Sequence, residues 1–174
     1  MNVGWALDQA GAASAAPASP PRSQAGPGGE MTAPSEAAAD ALVGVVVVSH
    51  SARLAEGVVE LARQMAGPDL TLIPVGGASD GSLGTDADRI RDALVAADGG
   101  AGVVVLADLG SAVLSTSAAM EMVDTALAAR VHISGGPIAE GAVLAAVQAS
   151  IGEPVEAVLV AAESARHLDK AVAR

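Results

Sequence analysis

From Leu42 onward the chain alternates between two apolar rhythms: short runs of consecutive β-branched residues, then longer segments whose apolar positions return every three or four residues. Val43–Ser49 is almost unbroken in its apolar character, which suits a strand buried on both faces. Leu54, Val58, Leu61 and Met65 follow at i, i+4, i+7 and i+11, with Glu56, Glu60, Arg63 and Gln64 between them. That spacing predicts an amphipathic helix with those four residues inward. "AGPD" stops it, Leu70–Val75 reads as a second strand, and "GGASDGSLG" is a glycine-rich loop. Thr85, with Asp88 three residues on, resembles a capping box. It would open a helix from about Asp86 to Asp98 with Ile90, Leu94 and Ala97 inward.

The rhythm repeats. Gly102–Ala107 predicts a third strand, "DLGS" follows, and a helix is expected from about Ala112 to Ala129 with Met120, Val123 and Leu127 on one side. Val131–Ser134 is a short fourth strand, broken by "GGP". Ile138–Ile151 predicts a helix with Val143, Leu144, Val147 and Ile151 inward, and Pro154 suits the first turn of a last helix reaching about His167. Strands alternating with helices of this length imply parallel pairing through right-handed crossovers. The expected fold is α/β: a doubly wound parallel sheet of about four strands, order 2-1-3-4, with helices on both faces. So small a sheet leaves Ala and Leu surface exposed, and a homodimer is expected to cover it.

Residues 1–40 carry none of this pattern. They hold five of the nine prolines and the run "AAPASPPRSQAGPGGE", the composition of a solvated coil. They read as a disordered N-terminal tail ahead of one domain over 41–174, and Met31 inside them is a possible natural start. Trp5 is the one aromatic residue of the 174, so the core must be built from Val, Leu, Ile, Ala and Met. With no Cys there is no disulfide framework, thiolate metal site or cysteine nucleophile, which fits a cytoplasmic protein. The formal charge is −11, and both the tail and the remainder are acidic. That balance argues against a nucleic-acid partner and an anionic membrane surface, and it would steer a basic protein partner inward. No stretch approaches the roughly 20 apolar residues of a membrane span. The early Asp8 and the lack of a basic leader argue against a signal peptide.

In an open parallel sheet, ligands bind beyond the carboxyl ends of the strands where the strand order reverses. With order 2-1-3-4 that point lies between strands one and three. Strand one ends in Ser49-His50-Ser51 and strand three in Asp108-Leu109-Gly110-Ser111, so the topology alone brings His50 and Asp108 to one crevice. A carboxylate beside an imidazole fixes its tautomer and leaves the other nitrogen free to attack or exchange protons. Backbone amides at two helix starts favour an anion there. Ser51, Ser111 and Thr85 could add hydroxyl donors, and Gly110 and Gly135 would let a phosphate or a partner's backbone approach. Plainer readings stand beside this one: His50 as a structural strand-end residue, and Asp108 as an ordinary helix cap. Ser-His-Asp hydrolysis lacks the G-x-S-x-G elbow, and the loop Gly76–Gly84 lacks the Gly-Lys-Ser/Thr of a P-loop. His132 and His167 read as structural or solvated.

"VVSHSARLAEGVVELARQMAG", "VGGASDGSLGTDADRI", "GVVVLADLGSAV" and "GGPIAEGAVLAAVQAS" together resemble the phosphotransfer subunits of phosphoenolpyruvate-dependent dihydroxyacetone kinases, relatives of the mannose-family IIA domain of the sugar phosphotransferase system. The resemblance spans about residues 42–165. It implies a phosphohistidine relay in which His50 is phosphorylated and Asp108 orients it, without metal or cofactor. A basic histidine-containing phosphocarrier protein would be the donor, and ADP on the kinase's nucleotide-binding subunit the acceptor. A chain that stops at Arg174 would depend on separate donor proteins. Mannose-type domains complete their sheet with a partner's strand, whereas the C-terminal segment here reads as helix. Alternatives are a mannose-type IIA component donating to a IIB domain, a regulatory module read by its phosphorylation state, and a structural dimer without phosphorylation.

Overall fold

A computed structural model describes residues 41–171; the expected tail at 1–40, with Met31, lies outside the described residues. The elements are β1 (Gly44–Ser49), α1 (Ala52–Arg63), β2 (Leu72–Gly76), α2 (Ala87–Ala97), β3 (Val103–Ala107), α3 (Gly110–Glu121), α4 (Thr125–Ala128), β4 (Val131–Ser134), α5 (Ile138–Ser150) and α6 (Val155–Ser164), closed by a 3-10 turn at Ala165–His167. The strands form one sheet in the order β2-β1-β3-β4, and every pair is parallel. This is the expected doubly wound arrangement.

Every residue of β1 is buried, because both faces of the sheet are covered. Val45, Val47, Leu72, Val104 and Leu106 pack with α1, α5 and α6. Val46, Val48, Val75, Val103 and Val105 pack with α2, α3 and α4. Alternation along a strand sends neighbours to opposite layers, so a run of valines serves two cores at once.

The helices meet the sheet through smaller residues than their apolar spacing suggested. In α1 the buried face is Ala55, Val58, Val59 and Ala62, whereas Leu54, Leu61 and Met65 are exposed. The inward face is turned about 100° from the expected one, a shift of one residue, and Val58 is common to both. In α5 the buried residues are Gly141, Ala142, Ala145, Ala146 and Ala149. Val143, Leu144 and Val147 are half-buried, and Ile151 is 67% exposed. Close approach of backbones explains the correction in α5. A Cβ on Gly136 would lie 2.2 Å from the Ala162 carbonyl oxygen, and one on Gly141 3.1 Å from the same atom. Helices held that near one another admit alanine at the contact and push longer side chains to its flanks.

Two further expectations change. Thr85 does not cap α2: the Asp86 carboxylate does, accepting from the amides of Asp88 (3.0 Å) and Arg89 (3.3 Å). The helix expected over Ala112–Ala129 begins earlier, at Gly110, and breaks after Glu121, because the Asp124 carboxylate accepts from the Leu127 amide (2.9 Å) and starts α4 anew. Leu127 is buried as expected, while Met120 and Val123 are half-buried. Ile90, Leu94 and Ala97 are buried on α2 as expected.

Candidate functional site

Chain order puts β1 and β3 side by side, and their carboxyl ends carry the candidate residues. The Asp108 amide donates to the Val48 carbonyl (3.2 Å), extending the β1–β3 pairing one residue past the strand. This sets Asp108 beside His50. The imidazole Nδ1 lies 2.9 Å from Asp108 Oδ1. The backbone amide of His50 donates to Oδ2 of the same carboxylate at 2.9 Å, and the Ser49 hydroxyl donates to Oδ2 at 2.8 Å. Ser49 is fully buried, and its oxygen also accepts from the Ser51 amide at 3.0 Å. The His50 carbonyl accepts from the Gly84 amide at 2.9 Å, so the loop after β2 pins the same residue from the other side.

Burial pushes the Asp108 carboxyl up, but the His50 amide, the imidazole and the Ser49 hydroxyl outweigh it and hold the group below its ordinary value. An ionised carboxylate only accepts hydrogen bonds, so Nδ1 carries the ring proton. In the neutral ring Nε2 then holds a lone pair that can accept from the Ser111 hydroxyl, 2.6 Å away. The His50 side chain is 25% exposed and that of Asp108 11%. The arrangement is a half-buried anion and an imidazole whose Nδ1 it orients, with Nε2 held by Ser111.

The other candidates fall in different places. The Ser51 oxygen caps α1 by accepting from the Leu54 amide (3.3 Å), which leaves its proton for another acceptor. Thr85 pairs with Ser115 (2.6 Å) and makes no hydrogen bond to the imidazole; it ties the glycine loop to α3 one turn below Ser111. Gly110 is the first residue of α3, and a Cβ there would meet nothing within 4 Å. Gly135 lies past the end of β4, where its amide donates to Glu163 Oε1 (3.2 Å), so that amide is already engaged away from His50. Sequence reasoning passed over Ser49. The available signal was a hydroxyl at the end of an otherwise all-valine buried run, where an unpartnered polar group would be costly.

A cleft of about 860 Å³ opens between the start of α1 and the loop after β2, lined by Ser51, Arg53, Gly76, Gly77, Ser79 and Leu83 among others; it reaches Ser51, the residue after His50, but the imidazole is not part of its lining. Gly76 is needed there, since a Cβ would lie 2.7 Å from the Ser51 carbonyl oxygen. Among the described residues, no three His, Cys, Asp or Glu side chains converge as metal ligands would, and no helix is long and apolar enough to cross a membrane.

A four-stranded parallel sheet with a histidine and an aspartate meeting at its switch point is the architecture of a IIA-type phosphotransfer domain. Residues 44–159 match the EIIA-man family, described as the fructose IIA component of the phosphotransferase system, and the chain belongs to that family. It is 37% identical over 118 residues to the phosphoryl donor subunit DhaM of the PEP-dependent dihydroxyacetone kinase 2 of Listeria innocua, across 68% of this chain and 94% of that one. It is 38% identical over 121 residues to the DhaM of Escherichia coli, across 68% of this chain but 26% of that longer protein. The chain thus spans about a quarter of the longer relative. A crystal structure of a protein of unknown function superposes with a TM-score of 0.64 at 34% identity, covering 71% of this chain and 95% of the other.

Proposed function

We propose that this chain is a phosphohistidine carrier that serves a phosphoenolpyruvate-dependent dihydroxyacetone kinase as its phosphoryl donor subunit. The observation that carries this reading is the geometry of His50, with Nδ1 held on Asp108 at 2.9 Å and Nε2 presented at the open end of the sheet. The kinship with DhaM subunits supports the choice of kinase.

The chemistry follows from that geometry. The Nε2 lone pair attacks the phosphorus of a donor phosphohistidine. An Nε2–P bond forms as the donor's N–P bond breaks, and the bonding pair returns to the donor imidazole. The His50 ring keeps its proton on Nδ1 and so becomes cationic, which is the charge the Asp108 carboxylate opposes. In the second transfer, a terminal phosphate oxygen of ADP attacks the phosphorus, the P–Nε2 bond breaks, and its electron pair returns to Nε2. The proton on Nδ1 never has to leave. Asp108 therefore acts as an orienting counter-charge rather than a base, and in-line positioning supplies most of the remaining rate.

The donor in this reading is a basic histidine-containing phosphocarrier protein in the cytoplasm, attracted by the chain's net charge of −11. The acceptor is ADP on the kinase's nucleotide-binding subunit. Exposed Leu61, Met65, Ile151 and Val160 offer apolar surface for a second copy of the chain, which light scattering on the purified protein would weigh. To test the relay, the phosphorylated protein is offered the ADP-loaded kinase subunit or a IIB domain. Discharge to ADP with formation of ATP is expected; discharge to the IIB domain alone would assign the chain to sugar transport.

A further inference from the structure

Seven cationic side chains lie among the described residues, and six are committed within the fold. Arg63 donates to the Leu72 carbonyl (2.9 Å) and Arg89 to those of Gly76 (2.9 Å) and Gly77 (3.1 Å). Arg91 pairs with Asp88 and Asp92, Arg130 with Asp98 and Lys170 with Glu140. Arg166 donates to the Glu163 carbonyl (3.0 Å). Arg53 alone makes no hydrogen bond or ion pair with a described residue.

Its position makes that isolation informative. Arg53 is the second residue of α1, three residues from His50, and it lines the cleft beside Ser51. A cation in a helix's first turn opposes the helix dipole and costs stability. The first turns of α2, α5 and α6 each hold an acid instead: Asp88, Glu140 and Glu156. α1 has no acid in its first turn, as α3 and α4 have none, but α1 is the one of these three that carries a cation there. Fold stability therefore gives no reason for an unpaired guanidinium here. An anion arriving at His50 does, since the guanidinium fork matches the oxygens of a phosphoryl group.

We propose that Arg53 contacts the phosphoryl group in transit, neutralising its non-bridging oxygens while the Nε2–P bond forms and again while it breaks. This rests on the relay through His50. It adds a second charge of opposite sign to the first: Asp108 opposes the cationic ring, and Arg53 opposes the anionic phosphoryl. Ser51 lines the same cleft as Arg53 and the Ser111 hydroxyl lies 2.6 Å from Nε2, so both hydroxyls are at hand for the same oxygens.

The test uses a donor too small to dock. Phosphoramidate transfers its phosphoryl group to His50 as its own P–N bond breaks, and ammonia leaves after taking a proton from water. Wild type, Arg53→Met, Arg53→Lys and His50→Ala are compared by the rate of phosphate gain in intact mass. The same set is then run with the phosphorylated carrier protein as donor. Arg53→Met is expected to be slower by about a hundredfold with both donors, the usual scale for removing one charge-stabilising donor. Arg53→Lys should recover part of the rate, and neither variant should lower the melting temperature. An Arg53→Met variant that reacts with phosphoramidate as fast as wild type overturns the inference, even if the protein donor is slowed, because Arg53 is then a docking residue. Failure of wild type to gain phosphate from either donor, as with His50→Ala, overturns the relay and this inference together.

Discussion

His50 and Asp108 are joined twice. One carboxylate takes the imidazole Nδ1 on Oδ1 and the same residue's backbone amide on Oδ2, each at 2.9 Å. The ring and the main chain that bears it are thus referred to a single rigid group at the end of the neighbouring strand. Ser49 adds a third hydrogen bond to the carboxylate, on Oδ2, so the carboxylate cannot rotate without breaking bonds to Ser49, the last residue of β1, and to His50, which follows it.

Asp108→Asn should keep much of this frame and lose the function. An amide can still accept from the His50 amide, but it carries no charge to oppose a cationic ring and no preference for the Nδ1–H tautomer. We expect phosphorylation of His50 to slow by roughly a hundredfold or more, with an unchanged fold by circular dichroism. Nitrogen NMR of His50 should show the proton shared between the two ring positions instead of held on Nδ1.

Two glycine substitutions should separate stability from function. Gly76→Ala drives a Cβ to 2.7 Å from the Ser51 carbonyl and 2.8 Å from Ala52 Cα, displacing the start of α1 beside His50. Gly136→Ala creates a still tighter contact, 2.2 Å from the Ala162 carbonyl oxygen, but against α6. Each should cost about 1–3 kcal/mol in urea unfolding. Only Gly76→Ala should also slow phosphorylation of the protein that remains folded.

The alanine face of α5 predicts an inverted pattern of sensitivity. Ala145→Leu places extra methyl groups in a fully buried contact and should destabilise by about 1–3 kcal/mol. Ile151→Ser removes a large apolar side chain that is 67% exposed and should shift stability by no more than about 0.5 kcal/mol. Denaturant midpoints of the two variants settle the order.

That inversion marks where the sequence was legible and where it was not. The strands, their order and the meeting of His50 with Asp108 could all be read, because β-branched runs and a switch-point rule depend on chain order alone. Helix faces in α1 and α5 could not. Apolar spacing weights Leu, Ile and Met above Ala, but the backbones that meet at α5 and α6 accept only small residues, and that distance is a tertiary quantity. Ser49 was missed for a related reason: its partner, Oδ2 of Asp108, lies on another strand. Thr85 was misread because two adjacent residues could cap α2, and the Asp86 carboxylate is the stronger acceptor.

Acid should weaken the fold through Asp98 and Asp108, whose carboxyls are both held below their ordinary values. For Asp98 the chief cause is the hydrogen-bonded Arg130 guanidinium, with Nε 3.0 Å from Oδ1. A depressed carboxyl contributes stability that is fully present above its unfolded pKa and is lost as pH falls through its folded one. Asp98→Asn should therefore cost about 1 kcal/mol at neutral pH, since Arg130 keeps a third of its side chain in water. The gap between variant and wild type should close on acidification below the carboxylate range. Urea titrations over that range would measure it.

The relay itself is tested most directly by intact mass. Wild type and His50→Ala are incubated with phosphoenolpyruvate and the general phosphotransfer proteins. A single acid-labile phosphate on wild type and none on His50→Ala is the expected result. An equal gain on both, or none on either, would contradict a phosphoryl carrier built on His50.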